Sequence, residues 1–120
     1  MVSASLLIYT THGTYGRDDD AYGALLAANN ALAKGLRVSL VLVEDGVCMA
    51  KAGQDPSRIG LPNNLGDLQD FIDLEGDLLV VTESLEERGI RGEELIPEAR
   101  IITLKDLPGL ILTHDISLTF

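Results

Sequence analysis

The chain has 120 residues, which is material for one domain and one core. Hydrophobic residues make up 46% and charged residues 23%, values of a folded globule that exclude a disordered chain. Nineteen Asp and Glu against nine Lys and Arg give a net charge of −10, which excludes the basic face that direct nucleic-acid or anionic-membrane binding needs.

Aromatic residues are only 4% and Trp is absent, so a stacking platform for single strands is excluded too. The charge is uneven. From Asp67 to Glu98 eleven acids meet only Arg88 and Arg91, a local −9, whereas the remainder carries eight acids and seven bases.

In chain order, Ser5 to Tyr9 (SLLIY) is an apolar run without alternation, the mark of a strand buried on both faces. Thr11-His12-Gly13-Thr14-Tyr15-Gly16 is a glycine-punctuated loop. Asp18, Asp19 and Asp20 stand where a helix begins and oppose the positive end of its dipole. A helix over Ala21 to Lys34 follows, with Ala21, Ala24, Ala28 and Ala31 giving a small-residue face that can approach a sheet closely; Gly35 stops it.

Arg37 to Val43 is a second apolar strand, ending at Glu44-Asp45-Gly46. Val47 to Ala52 reads as a short helix, Gln54 to Asn64 as a loop, and Leu65 to Leu74 as a helix. Leu78 to Val81 is a third strand. Thr82 or Ser84 is positioned to cap a short helix over Leu85 to Arg88. Arg100 to Leu104 is a fourth strand. Asp106 to Thr113 is a helix with Pro108 in its first turn, and Ile116 to Phe120 is a fifth strand.

Strands alternating with helices imply βαβ units with right-handed crossovers. The expected fold is α/β, a three-layer sandwich around a mostly parallel five-stranded sheet of flavodoxin/Rossmann-like topology. It is a single domain over residues 1–120. The N-terminus lacks a basic region and a cleavage site, so it does not read as a signal peptide. One cysteine, Cys48, cannot make an internal disulfide; a reducing cytoplasm is the expected location. No run approaches the ~20 apolar residues of a membrane span.

In an open parallel sheet, ligands sit beyond the carboxyl ends of the strands. Three segments converge there and form the expected pocket: Thr11, His12 and Gly13 after strand one, Glu44, Asp45 and Gly46 after strand two, and Thr82, Glu83 and Ser84 after strand three. Cys48 is expected in the first turn of its helix. A helix N-terminus favours thiolate, which can accept or hand on sulfur, while Glu44 and Asp45 oppose it. The alternative is a small buried hydrophobe. His12 can serve that thiol as acid, base or donor if the two loops meet.

One Cys and two distant His are too few for a zinc site, and the three aspartates read as helix capping, so no metal is expected. The HGTYG loop lacks the GxGxxG and GxxxxGK[ST] spacings and is followed by acids that would repel phosphate, so no nucleotide cofactor is expected. A receiver domain needs Asp at the end of strand three, where this chain has Val81-Thr82.

Several strings in order resemble one family: HGT after strand one, YGALLAANNAL in the first helix, EDGV after strand two with AGQDP downstream, SLEERGI after strand three, and the ending HDISLTF. Together they resemble the DsrE/DsrF-like sulfur-relay proteins, and most of all the TusC/DsrF subunit branch. The resemblance implies a cytoplasmic oligomer, either of itself or with DsrE-, DsrF- and DsrH-like subunits. Such a complex passes persulfide sulfur between donor and acceptor proteins, toward tRNA thiolation or in sulfur oxidation.

The family's carrier cysteine lies eight residues before the glycine of the RG[IL] string. From Gly89 that position is Val81, which has no thiol. The resemblance therefore implies a structural or docking subunit without catalysis of its own. A persulfide carrier using Cys48, or a small-molecule module at the carboxyl edge, are the alternatives.

Overall fold

A computed structural model describes residues 4–13, 20–54 and 64–120. Five strands form one all-parallel sheet: β1 (Ser5–Thr10), β2 (Arg37–Leu42), β3 (Asp77–Val81), β4 (Arg100–Ile102) and β5 (Ile116–Thr119), in the order β4-β3-β2-β1-β5. The helices between them are α1 (Asp20–Ala33), α2 (Asn64–Asp73), α3 (Thr82–Glu87) and α4 (Leu107–Leu112). The α/β class and the five strands are those expected from the sequence.

The order explains the layers. Each step from β1 to β4 moves one strand in the same direction, so right-handed crossovers put α1, α2 and α3 on one face. The step from β4 to β5 runs back across the sheet and puts α4 on the other. The cores follow. Leu6, Ile8, Val38, Leu40, Leu42, Leu78 and Val80 pack with Ala21, Ala24, Leu25 and Ala28 of α1, Leu68 and Phe71 of α2, and Leu85 of α3. On the opposite face, Leu7, Val41, Leu79, Val81 and Ile102 meet Leu107 and Leu110 of α4. Each fully buried side chain contributes about 1.5–3 kcal/mol. The alanine face of α1 is buried as its spacing requires: Ala21, Ala24 and Ala28 are all fully buried.

Most boundaries shift by a residue or so, and three differ for a clear local reason. The expected helix over Val47 to Ala52 is a 3₁₀ segment over Glu44–Ala50. It begins at once because the Gly46 amide donates to the Val43 carbonyl at 2.9 Å, closing a turn directly on the strand end. It ends because Lys51 forms an antiparallel bridge with Leu95. β4 stops at Ile102 because Asp106 Oδ2 accepts from the Thr103 amide at 2.9 Å and turns the chain into a 3₁₀ segment over Leu104–Asp106. α3 begins at Thr82, directly after Val81, with no side-chain cap. Thr82 and Ser84 therefore lie within its first turn rather than before it. Asp20 opens α1, while Asp18 and Asp19 lie outside the described residues.

Two glycines stand where a side chain has no room. A Cβ at Gly46 would collide with the Thr10 carbonyl oxygen, and one at Gly76 with the buried Phe71 ring. Gly66, inside α2, has open space around it. Gly46→Ala is expected to cost about 1–3 kcal/mol by overpacking. Gly66→Ala is expected to stabilise by a few tenths to about 1 kcal/mol through helix propensity. Urea denaturation of the two variants measures both.

Candidate functional site

The three expected segments do converge at the carboxyl edge of the sheet, and hydrogen bonds tie them together. The β1 end is joined to β2 by the Val43 amide, which donates to the Thr10 carbonyl at 3.0 Å. A Cβ at Gly13 would lie 3.4 Å from the Asp45 carbonyl oxygen, so the first loop runs against the second. Thr11 is held to the chain's last residue: its amide and its hydroxyl both donate to the Phe120 carbonyl, at 3.0 and 2.9 Å. The second loop is tied to the third by the Glu44 amide, which donates to Ser84 Oγ at 2.8 Å. Ser84 is buried and holds this loop in place of capping its helix.

Glu44 takes a φ of +53°, a left-handed conformation unusual for a non-glycine residue. That turn sends Glu44 and Asp45 outward while Gly46 and Val47 turn in. Asp45 Oδ1 accepts from Arg88 Nε at 3.0 Å and lies 2.9 Å from Nη2. Arg88 Nη1 also donates to the Ser84 carbonyl at 3.1 Å. Asp45 is 71% exposed, so the ion pair itself is worth about 0.2–1 kcal/mol. Its consequence is geometric: Arg88 spans Ser84 and Asp45 and fixes how the second loop meets α3. Sequence reasoning did not single out Arg88, although its place in the SLEERGI string was the available signal.

At the end of β3 the chain turns onto the α1 face, and at the end of β4 it turns onto the α4 face. The two connections part at the carboxyl ends of β3 and β4. Glu83 stands there. Its two carboxylate oxygens lie 3.1 and 3.2 Å from the Leu104 amide, which donates to them. Thr82 and Glu83 are half-buried at this junction, and Val81 beneath them is fully buried.

Cys48 differs from both expectations. It is the fifth residue of the 3₁₀ segment and not in the first turn of a helix. It is also exposed, so it is not a buried hydrophobe. The segment's short turns put Val47 and Met49 inward and leave Cys48 between them facing out. His12 is exposed with Nδ1 3.3 Å from Thr11 Oγ1, and no hydrogen bond joins it to Cys48 among the described residues. The loops meet, but the two side chains are not brought together as a pair. Among the described residues no cluster of three or more His, Cys, Asp or Glu is placed to hold a metal ion.

Tyr9 is a member of this edge that the sequence reading passed over as part of a strand. It lies on the α4 face, half-buried against Leu110's cluster. Burial pushes its phenol above the ordinary range, and the Glu44 carboxylate adds to the shift. The tyrosinate is therefore the disfavoured form in the folded state. The resulting stability is fully present below the unfolded phenol value of about 10 and is lost as pH rises through the raised folded value. Tyr9→Phe is expected to flatten the alkaline end of the stability profile, and Glu44→Gln to lower the Tyr9 phenol only part of the way, because burial is the larger cause. Denaturation across alkaline pH and ultraviolet titration of tyrosinate measure these two effects.

Comparison with known proteins places this geometry in a family. The family model described as DsrE/DsrF-like matches residues 4–120. The chain is 35% identical over 113 residues to Uncharacterized protein MJ0989 of Methanocaldococcus jannaschii, covering 94% of this chain and 96% of that one. It is 30% identical over 110 residues to Uncharacterized protein MK0008 of Methanopyrus kandleri, covering 92% and 88%. Among solved structures, the ychN protein from E. coli superposes with a TM-score of 0.85 at 23% identity, over 99% of this chain and 100% of that one. MTH1491 from Methanobacterium thermoautotrophicum superposes with a TM-score of 0.71 at 12% identity, over 98% and 100%. The structural likenesses show the fold, and the family match covers all five strands: the chain belongs to the DsrE/DsrF-like family.

Proposed function

We propose that this protein is a docking or structural subunit of a cytoplasmic sulfur-relay complex, closest to the TusC/DsrF kind, and that it carries no sulfur itself. One observation carries the reading. Val81 ends β3, where the family resemblance places the carrier cysteine, and it is fully buried among aliphatic side chains. A persulfide needs a thiol that a partner can reach. Neither condition is met at Val81.

Two surfaces support a docking role. β5 is an edge strand exposed along its whole length, and Ile116 and Leu118 on it are 47% and 43% exposed. On the other face of the sheet α4 presents Leu112 at 85% exposure. An edge strand with exposed apolar side chains favours pairing with another chain. The second surface is acidic. The stretch from Asp67 to Glu98 brackets β3, and its charge would draw a basic partner to the β3–β4 side of the sheet. The partners proposed are DsrE- or DsrH-like subunits or further copies of this chain, with a sulfur donor or acceptor protein.

A second reading has one observation in its favour: Cys48 is exposed and so open to a donor. A persulfide donor separates the two. Under the docking reading, intact mass shows no stable gain of a sulfur atom on the purified chain. A gain that disappears in Cys48→Ser would instead make Cys48 the carrier.

A further inference from the structure

The opposite, amino edge of the sheet holds a cavity of about 520 Å³ that the carboxyl-edge site does not use. The strands are 3–6 residues long, so the two edges lie up to about 20 Å apart. Ser39 of β2 and His114, which precedes β5, both line the cavity. Ser39 is 6% exposed, and its Oγ lies 2.9 Å from His114 Nε2. On the other side of the ring, His114 Nδ1 lies 2.6 Å from the Leu110 carbonyl oxygen.

These two contacts fix the direction of the protons. A carbonyl has no proton to give, so Nδ1 carries the hydrogen and donates it to Leu110. In the neutral ring Nε2 is then an acceptor, and the Ser39 hydroxyl donates to it. A hydroxyl bonded to an imidazole whose far nitrogen is held by a third group is the arrangement of an activated nucleophile. The Leu110 carbonyl takes the part that a carboxylate often plays: it holds the tautomer and stabilises the imidazolium once Nε2 is protonated.

We propose that Ser39 and His114 form a nucleophile–base pair and that the cavity takes a small carboxylic ester with an apolar acyl group. Leu32, Leu36 and Leu74 line the cavity and supply an apolar wall for the acyl chain. Arg37 lines it as well, two residues before Ser39 and on the same face of β2. Arg37 makes no ion pair among the described residues, whereas the nearby Asp77 is held by Arg100 at 2.9 Å. Its guanidinium is the cation available to the negative charge that grows on the carbonyl oxygen.

The step balances. Ser39 Oγ bonds to the acyl carbon, its proton passes to His114 Nε2, and the carbonyl π electrons move to oxygen. Collapse expels the alcohol, which takes the proton from Nε2 and leaves an acyl-serine. Water attacks by the same route, releases the carboxylic acid and restores Ser39. This site stands apart from the sulfur-relay reading, and neither depends on the other.

Diisopropyl fluorophosphate tests the pair on the whole protein, since attack by Ser39 forms an Oγ–P bond and expels fluoride. The expected result is one adduct, mapped to Ser39. In His114→Gln, which keeps an amide to bond Leu110 but cannot take the proton, labelling should slow by about 100-fold or more. No adduct at Ser39, or an unchanged rate in His114→Gln, overturns the proposal. If that variant does not fold, wild-type protein treated with p-nitrophenyl butyrate decides the matter. An acyl group trapped on Ser39, or release of p-nitrophenolate that Ser39→Ala abolishes, supports the pair, and the absence of both overturns it.

Discussion

Burial of the central strands on both faces is the constraint from which the rest follows. Ile8, Leu40, Leu42, Leu79, Val80 and Val81 are all fully buried, and they come from both sides of the sheet. Strands filled in this way have no face left for chemistry. Function must be displayed at their ends, on the loops of the carboxyl edge or at the turns of the amino edge. The parallel arrangement makes the two edges different, because every strand enters at one and leaves at the other. Val81 and the loops that follow β1, β2 and β3 lie at the first edge, and the Ser39–His114 pair lies at the second.

The carboxyl edge is held by a few short-range devices. Gly46 lets the second loop lie on the Thr10 carbonyl, where a Cβ would not fit. Ser84 then receives the Glu44 amide, and Arg88 spans Ser84 and Asp45. Glu83 fills the junction between β3 and β4 by accepting from Leu104. Each bond is worth only about 1 kcal/mol, more where charge is involved. Together they tie the loops that follow β1, β2 and β3 into one polar surface. A buried valine beneath such a surface suits a subunit that is met by others better than one that performs transfer.

Much of this was legible in the chain. The uninterrupted aliphatic runs identified the buried strands, and the alanine spacing identified the face of α1. The convergence of Thr11, Glu44 and Ser84 followed from the geometry of a parallel sheet, whose strands all end at one edge. Cys48 was misplaced because the pattern VCMA does not distinguish an α-helix from a 3₁₀ turn; the difference lies in the Gly46–Val43 bond and the Lys51–Leu95 bridge, which tertiary contacts decide. Ser84 read as a cap because its residue type fits one, but its partner lies forty residues away. His114 showed no spacing to any functional residue, since Ser39 is 75 positions distant and is reached only across the amino end of β1. Contacts of that separation leave no local trace.

The docking claim is tested most directly by native mass spectrometry of this protein co-expressed with a DsrE-like subunit that has cysteine at the position of Val81. The account predicts a defined complex containing both chains. It also predicts that added salt weakens the complex, because the acidic stretch around β3 takes part. A protein that remains a monomer in the presence of that partner and of further copies of itself would contradict it.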